Sequence, residues 1–85
     1  MDKSHFFLWI KKHCPFCQMA TGLLTDNEIP YTVYEISENL DLLSEVQNRF
    51  DWKTVPVVLE QKPDGDRKFI GGFTDLKEYL NEEEL

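Results

Sequence analysis

Two cysteines separated by two residues, in Cys14-Pro15-Phe16-Cys17, lie between a short apolar run and a helical pattern and constrain this chain more than any other feature. Pro15 is suited to the first position of a helix, because its ring fixes φ and its missing N–H would have no partner there. That register puts Cys14 at the N-cap and Cys17 one turn further into the helix. The motif therefore predicts a thiol–disulfide redox centre at the start of a helix.

The two thiols have different predicted roles. Cys14 would face the free N–H groups and the positive dipole end of the helix, which favour thiolate, so Cys14 is the candidate nucleophile. Lys11 and Lys12, together with a protonated His13, would add positive charge beside it, although the chain as a whole carries a net charge of −7. Cys17, which is more shielded and close enough to attack a mixed disulfide on Cys14, is the candidate resolving thiol.

A zinc site and an inert structural disulfide are the alternatives at this motif. A structural zinc site needs four ligands, and only His5 and His13 remain to complete one. A disulfide scaffold would need further cysteines and an oxidising compartment, and the chain has neither another cysteine nor a secretory segment. We therefore expect a redox pair and no metal.

Length and charge limit the classes of function. Eighty-five residues predict a single domain, 1–85, with one modest core. Sixteen acidic residues against nine basic ones, without an arginine-rich face, argue against nucleic acid as a partner. No apolar stretch approaches membrane-spanning length, so we expect no membrane association and a reducing, cytoplasmic location.

Hydrophobic periodicity divides the chain into seven elements. Strands are predicted at residues 5–10, 31–36, 56–60 and 68–70. Helices are predicted from Pro15 to residue 26, with the apolar spacing beginning at Phe16, from a cap at Ser37 or Asn39 to residue 50, and after a cap at Thr74 or Asp75. The order β-α-β-α-β-β-α predicts an α/β fold, a four-stranded mixed sheet flanked by three helices. In such a sheet the loop after the first strand, which carries Cys14, lies at the ligand-binding edge.

Three motifs in this order resemble the glutaredoxin family, of the dithiol class. They are Cys14-Pro15-Phe16-Cys17, Thr54-Val55-Pro56 and Gly71-Gly72-Phe73-Thr74-Asp75. The resemblance extends over nearly the whole chain and implies a thioredoxin-like fold. It also implies a glutathione-dependent disulfide oxidoreductase that is a monomer, with glutathione as reductant and disulfide-containing client proteins, ribonucleotide reductase among the candidates, as partners.

The resemblance further implies a glutathione-binding site. Its residues would be Lys11, Phe16, Thr54, Val55, Pro56, Gly72, Phe73, Thr74 and Asp75. Thr54-Val55-Pro56 is similar to the family segment with a cis peptide before the proline, which leaves the Val55 backbone free to pair with the extended glutathione peptide. Lys11 would pair with the glycine carboxylate. The start of the last helix would bind the γ-glutamyl carboxylate, and Asp75 would bind its ammonium.

Some residues depart from the family pattern. Phe16 occupies a position where many relatives carry tyrosine, so the ring is kept and the hydroxyl lost. Trp52-Lys53 is atypical, and the family's second carboxylate-binding group could be Gln47, Arg49 or Lys53, with Gln47 as first choice.

Both tryptophans, Trp9 and Trp52, are predicted to serve packing rather than ligand contact. The connection at residues 61–67 is predicted to be a hairpin tip without chemistry.

Two other functions are compatible with the motif. One is a redoxin of the same fold that is reduced by thioredoxin reductase; Lys11 and the Thr74-Asp75 pair argue against it. The other is a binding module in which two chains hold an iron–sulfur cluster through Cys14 and external glutathione, against which the intact Pro15 and Cys17 argue.

Overall fold

The computed structural model describes residues 4–84, without the side chains of residues 82–84. Its elements are β1 (His5–Ile10), α1 (Pro15–Asp26), β2 (Tyr31–Glu35), α2 (Leu40–Phe50), β3 (Val57–Gln61), β4 (Arg67–Gly71) and α3 (Phe73–Glu84). The predicted order of elements is confirmed. Three of the four strands differ from their predicted bounds by one residue at one or both ends. Among the described residues, no helix is both long and apolar enough to cross a membrane.

The four strands form one mixed sheet, as predicted, and the structure gives their order as β2-β1-β3-β4. β1 runs parallel to β2 and antiparallel to β3, and β3 pairs with β4 as an antiparallel hairpin. Because β1 lies in the middle of the sheet, both of its faces are covered, which explains its uninterrupted apolar sequence. The loop that carries Cys14 therefore leaves the sheet from a central strand.

Alternation along β1 divides the apolar residues between two layers. Phe6 and Leu8 face α1 and α3, where they form the main core with the buried residues Ala20, Leu24, Val58, Leu76 and Leu80. Trp9 faces the opposite side, and its ring contacts Phe50 of α2. A leucine side chain as fully buried as Leu8 contributes about 1.5–3 kcal/mol by leaving water. The rigid α1–sheet–α3 layer therefore fixes where the first turn of α1 lies.

Two of the three predicted helix starts need comment. The α2 cap is Asn39 rather than Ser37, because the Asn39 carboxamide oxygen accepts from the Leu42 N–H at 3.0 Å. The predicted cap of α3 at Thr74 or Asp75 is wrong, because the helix already begins at Phe73. The carbonyl of Gly72 accepts the first helical hydrogen bond, and Asp75 Oδ2 accepts from the Gly72 N–H at 3.0 Å. Asp75 thus stabilises the helix start from its third position, as the acidic half of a capping box does.

This start of α3 requires glycine at position 71. Gly71 has φ +121°, a conformation that side-chain-bearing residues rarely adopt. An added Cβ at Gly71 would lie 2.7 Å from Asp75 Oδ2. The positive φ at residue 71 and the position of the Asp75 carboxylate therefore both require a residue without a side chain at position 71.

We expect Gly71→Ala to lower the free energy of unfolding by about 1–3 kcal/mol, because it combines an unfavourable φ with a clash at Asp75. The matched control is Gly22→Ala in the interior of α1, where an added Cβ meets no atom within 4 Å. That control should raise stability by about 0.5–1 kcal/mol through helix propensity. Urea unfolding of both variants measures the difference, and equal effects at the two glycines would contradict the assignment.

A polar network ties the β1–α1 loop to the end of β2. The Lys12 backbone N–H donates to Ser37 Oγ at 2.6 Å, and the Ser37 backbone N–H donates to Glu35 Oε2 at 2.7 Å. The Lys12 ammonium lies 3.8 Å from Glu35 Oε1. The backbone N–H of Ser37, then its hydroxyl, and also the Lys12 charge lower the pKa of Glu35. The Glu35 carboxylate therefore helps to hold the segment that leads to Cys14.

The lowered pKa of Glu35 predicts a pH-dependent contribution to stability. A lowered folded-state pKa means that the contribution is present above the ordinary value of 4.5 and is lost as pH falls through the lowered pKa. Wild type should therefore exceed Glu35→Gln in unfolding free energy at neutral pH, and the two should converge in acid. Urea unfolding across this pH range tests it, and a difference independent of pH would contradict the role of the carboxylate.

Candidate functional site

Cys14 lies at the N-cap of α1, as its position before Pro15 predicts. Its backbone is extended, with φ −106° and ψ 105°, and Pro15 is the first helical residue. Cys14 Sγ accepts a hydrogen bond from the Cys17 N–H at 3.3 Å. The sulfur is thus held by one of the free N–H groups at the helix start and remains partly exposed. This is the N-cap position that the sequence predicts for the nucleophilic thiol.

Cys17 is the shielded member of the pair. It is 1% exposed, and both cysteines are free thiols. Burial, which disfavours the thiolate, is the main cause that raises the pKa of Cys17 to about 12; the hydrogen bond with Cys14 acts in the same direction. A backbone hydrogen bond from Lys11 opposes both. Cys17 is therefore a neutral thiol near neutral pH, which fits a group that reacts second.

The cations expected beside Cys14 are arranged unequally. The Lys12 ammonium lies 3.8 Å from Glu35 Oε1, so the Glu35 carboxylate partly offsets its positive charge. Lys11 and His13 are exposed in the same loop, and His13 adopts a positive φ of 55°. Lys11 also touches the pair through its backbone, at the Cys17 sulfur.

A groove of about 290 Å³ lies beside the first turn of α1. We name it the Pro56 groove. It is lined by Phe16, Trp52, Thr54, Val55, Pro56, Gly72, Phe73, Thr74 and Asp75. The structure thus brings together every residue expected at a glutathione site except Lys11, whose side chain is not in the lining. The three motifs, distant in sequence, meet because β1, β3 and α3 place their ends at one edge of the sheet.

The Thr54–Pro56 segment forms one wall of the Pro56 groove. The Val55–Pro56 peptide bond is cis, as the resemblance implied. In the described part of the chain, no backbone hydrogen bond engages Val55, so its peptide groups are available to an extended ligand. The Gln47 side-chain amide lies close to this wall and donates to the Thr54 carbonyl at 3.4 Å.

The position of Gln47 separates the candidates for a second carboxylate-binding group. Arg49 lines a different groove, between α2 and the sheet. Lys53 is exposed and is not part of the Pro56 groove lining. Of the three candidates, Gln47 is the one that contacts the Thr54–Pro56 wall.

Trp52 is the lining residue that sequence reasoning did not place in the site. Its ring packs edge-on against Phe69, with centroids 5.4 Å apart, so the predicted packing role holds. Trp52 Cζ2 also lies 3.6 Å from where a Cβ on Gly72 would stand, and the ring forms part of the Pro56 groove. Its Nε1–H is buried without a hydrogen-bond partner among the described residues. The signal in the sequence was its atypical position two residues before Thr54.

Among the described residues, the structure does not assemble the four ligands that a zinc site would need. His5 is engaged with Thr32 Oγ1 at 2.7 Å, at the end of β1 remote from Cys14. Within the described residues, no group of three or more histidine, cysteine, aspartate or glutamate side chains could hold a metal ion.

Comparison with known proteins agrees with this site. The family model described as Glutaredoxin matches residues 6–61. A probable glutaredoxin of Acanthamoeba polyphaga mimivirus is 30% identical over an alignment 91 positions long, which covers 94% of this chain and 81% of the relative.

Solved structures share the fold. The glutaredoxin of Brucella melitensis matches with a TM-score of 0.74 at 23% identity, covering 92% of this chain and 79% of that one. Glutaredoxin 1 of Francisella tularensis, crystallised with cacodylate, matches with a TM-score of 0.74 at 22% identity, covering 93% of this chain and 94% of that one. The predicted thioredoxin-like fold is therefore confirmed. Together with the Cys14–Cys17 dithiol, the family match shows that this chain belongs to the glutaredoxin family and is a thiol–disulfide oxidoreductase.

Proposed function

We propose that this chain is a glutathione-dependent oxidoreductase that reduces protein disulfides and glutathione mixed disulfides through Cys14 and Cys17. The observation that carries the proposal is the Pro56 groove, which begins beside the helix turn that holds Cys14 and combines complementary groups for a peptide with charged ends. Phe16, which lines the groove, is 57% exposed.

The chemistry of the groove suits glutathione from one end to the other. At the start of α3, free N–H groups attract the γ-glutamyl carboxylate, while Asp75 accepts from the adjacent ammonium. The unpaired backbone of Val55 can add the middle of the peptide as a short strand. The Gln47 amide, which contacts the Thr54 carbonyl, and the Lys11 ammonium are the proposed partners of the glycine carboxylate. Phe16 and Trp52 supply apolar walls.

The reaction follows from the unequal thiols. Cys14 thiolate attacks one sulfur of a client disulfide, forms a mixed disulfide and releases the other client sulfur as thiolate. Cys17 then loses its proton and attacks Cys14 Sγ, which releases the second client thiol and leaves the Cys14–Cys17 disulfide. That disulfide takes two electrons from two glutathiones, through Cys14 glutathionylated in the first exchange. A glutathione mixed disulfide needs Cys14 alone.

We expect Cys14→Ser to abolish turnover of both substrate classes, because it removes the nucleophile. Cys17→Ser should keep the reduction of a glutathione mixed disulfide and lose most reduction of protein disulfides. NADPH consumption coupled through glutathione and glutathione reductase measures the first activity, and insulin disulfide reduction measures the second. If Cys17→Ser were inactive in both assays, the division of labour would be wrong.

The choice of reductant has its own test. Wild type should turn over a small glutathione mixed disulfide with glutathione and glutathione reductase, and should be a poor substrate for thioredoxin reductase. Asp75→Asn should raise KM for the glutathione mixed disulfide without removing the thiol chemistry. Rapid direct reduction by thioredoxin reductase, with no turnover through glutathione, would favour the redoxin alternative.

The raised pKa of Cys17 predicts selective alkylation. Near neutral pH, iodoacetamide should modify Cys14 of the reduced protein much faster than Cys17, because burial and the raised pKa leave little Cys17 thiolate to react. Mass spectrometry of wild type and the two single-cysteine variants identifies the alkylated residue. Modification of both cysteines at equal rates near neutral pH would contradict the assignment of nucleophile and resolving thiol.

A further inference from the structure

A second groove, which the redox chemistry does not use, lies between α2 and the sheet. Its volume is about 300 Å³, at the lower end of the range for small-molecule sites. Three aromatic rings line it: Trp9 from β1, Phe50 from α2 and Phe69 from β4. Phe50 and Phe69 stack with centroids 4.9 Å apart and planes at 6°, while Trp9 is tilted against Phe50 at 6.4 Å. The groove therefore has an ordered aromatic wall against which a flat ring can stack.

The chain has two arginines, Arg49 and Arg67, and both line this groove. We name it the arginine groove. Arg49 is at the last turn of α2 and Arg67 begins β4, so tertiary structure brings them together. In the described part of the chain, neither guanidinium has an ion-pair partner; the ion pair found there joins Lys12 and Glu35. No carboxylate lines the groove.

This local charge is opposite to that of the molecule. The net charge of the chain is −7, yet the lining of this groove includes both arginines and no acidic residue. Guanidinium groups bind phosphate and carboxylate through paired hydrogen bonds, and they also stack on aromatic rings. Because the overall field of the chain opposes the approach of an anion, binding of an anion at this groove requires direct contacts with the two arginines.

The geometry points to a binding site for a small aromatic oxyanion, a flat ring system that bears a phosphate or a carboxylate. The ring lies against the wall formed by Trp9, Phe50 and Phe69, and the anionic group accepts hydrogen bonds from Arg49 and Arg67. A cavity of this volume holds one such molecule, on the scale of a nucleoside monophosphate, and does not hold a polymer.

The arginine groove is separate from the Pro56 groove, and two aromatic rings in contact with each other lie between them. Phe69 lines the arginine groove, and its ring receives the edge of Trp52, which lines the Pro56 groove. Binding at the arginine groove does not require either cysteine. The inference therefore stands independently of the proposed use of glutathione.

Binding is tested by calorimetric titration of the reduced protein with adenosine monophosphate and, separately, with 2-naphthoate. Both probes combine a flat ring system with an anionic group, which is a phosphate in the first and a carboxylate in the second. At least one should bind with a Kd below about 1 mM, and the Trp9 indole N–H signal should shift in NMR spectra. Binding of one probe alone identifies the anionic group preferred. Adenosine lacks the anionic group and inorganic phosphate lacks the ring, so each should bind at least about tenfold more weakly than adenosine monophosphate.

Variants at the two arginines assign the binding to the groove. Arg49→Gln and Arg67→Gln should each weaken it, and together they should reduce affinity by about tenfold or more. Lys77→Gln, which removes an exposed cation from α3 on the other face of the sheet, is the control and should leave affinity unchanged. The proposal is overturned if neither probe binds in this range, if adenosine or phosphate alone binds as well as the best probe, or if the double variant binds like wild type.

Discussion

The hydrogen bond from the Cys17 N–H to the Cys14 sulfur is the interaction on which the function depends. It exists because Pro15 starts α1 directly after Cys14, so that the sulfur takes the place of the usual oxygen at an N-cap. The same turn buries Cys17 and raises its pKa to about 12, chiefly by desolvation. One helix start thereby produces two unequal thiols, and an ordered exchange of disulfides requires that inequality.

The sheet converts this local arrangement into a site. β1 carries the Cys14 loop out of the centre of the sheet, and its antiparallel partner β3 begins immediately after Pro56, at the same edge. The hairpin of β3 and β4 then returns the chain to that edge at Gly71, two residues before α3 begins at Phe73. The Glu35–Ser37–Lys12 network links the loop to the end of β2. Strand direction alone is therefore enough to bring three separated motifs to one groove.

Positive potential in this acidic chain comes from two different sources. At the dithiol edge, the starts of α1 and α3 present free N–H groups and helix dipoles, with few charged side chains committed to the site. At the arginine groove, on the opposite layer, Arg49 and Arg67 line one cavity with three aromatic side chains. Because salt screens exposed charges and the net charge is −7, both places rely on short contacts rather than on long-range attraction.

Local sequence determined the elements of this protein: the strand of residues 5–10, the N-cap at Cys14 and the helix at residues 40–50 follow from periodicity, from proline and from capping residues, which act over a few positions. The predicted start of α3 at Thr74 or Asp75 was wrong. Both residue types are common at an N-cap, but Asp75 lies in the first turn and accepts from the Gly72 N–H three residues earlier. The resemblance of three motifs added the cis peptide bond and the lining of the Pro56 groove. Only the tertiary structure placed Trp52 in that groove, turned Lys12 toward Glu35 and placed Arg49 and Arg67 in the lining of one cavity. These positions depend on which side chains strand register and helix packing bring together across the sheet.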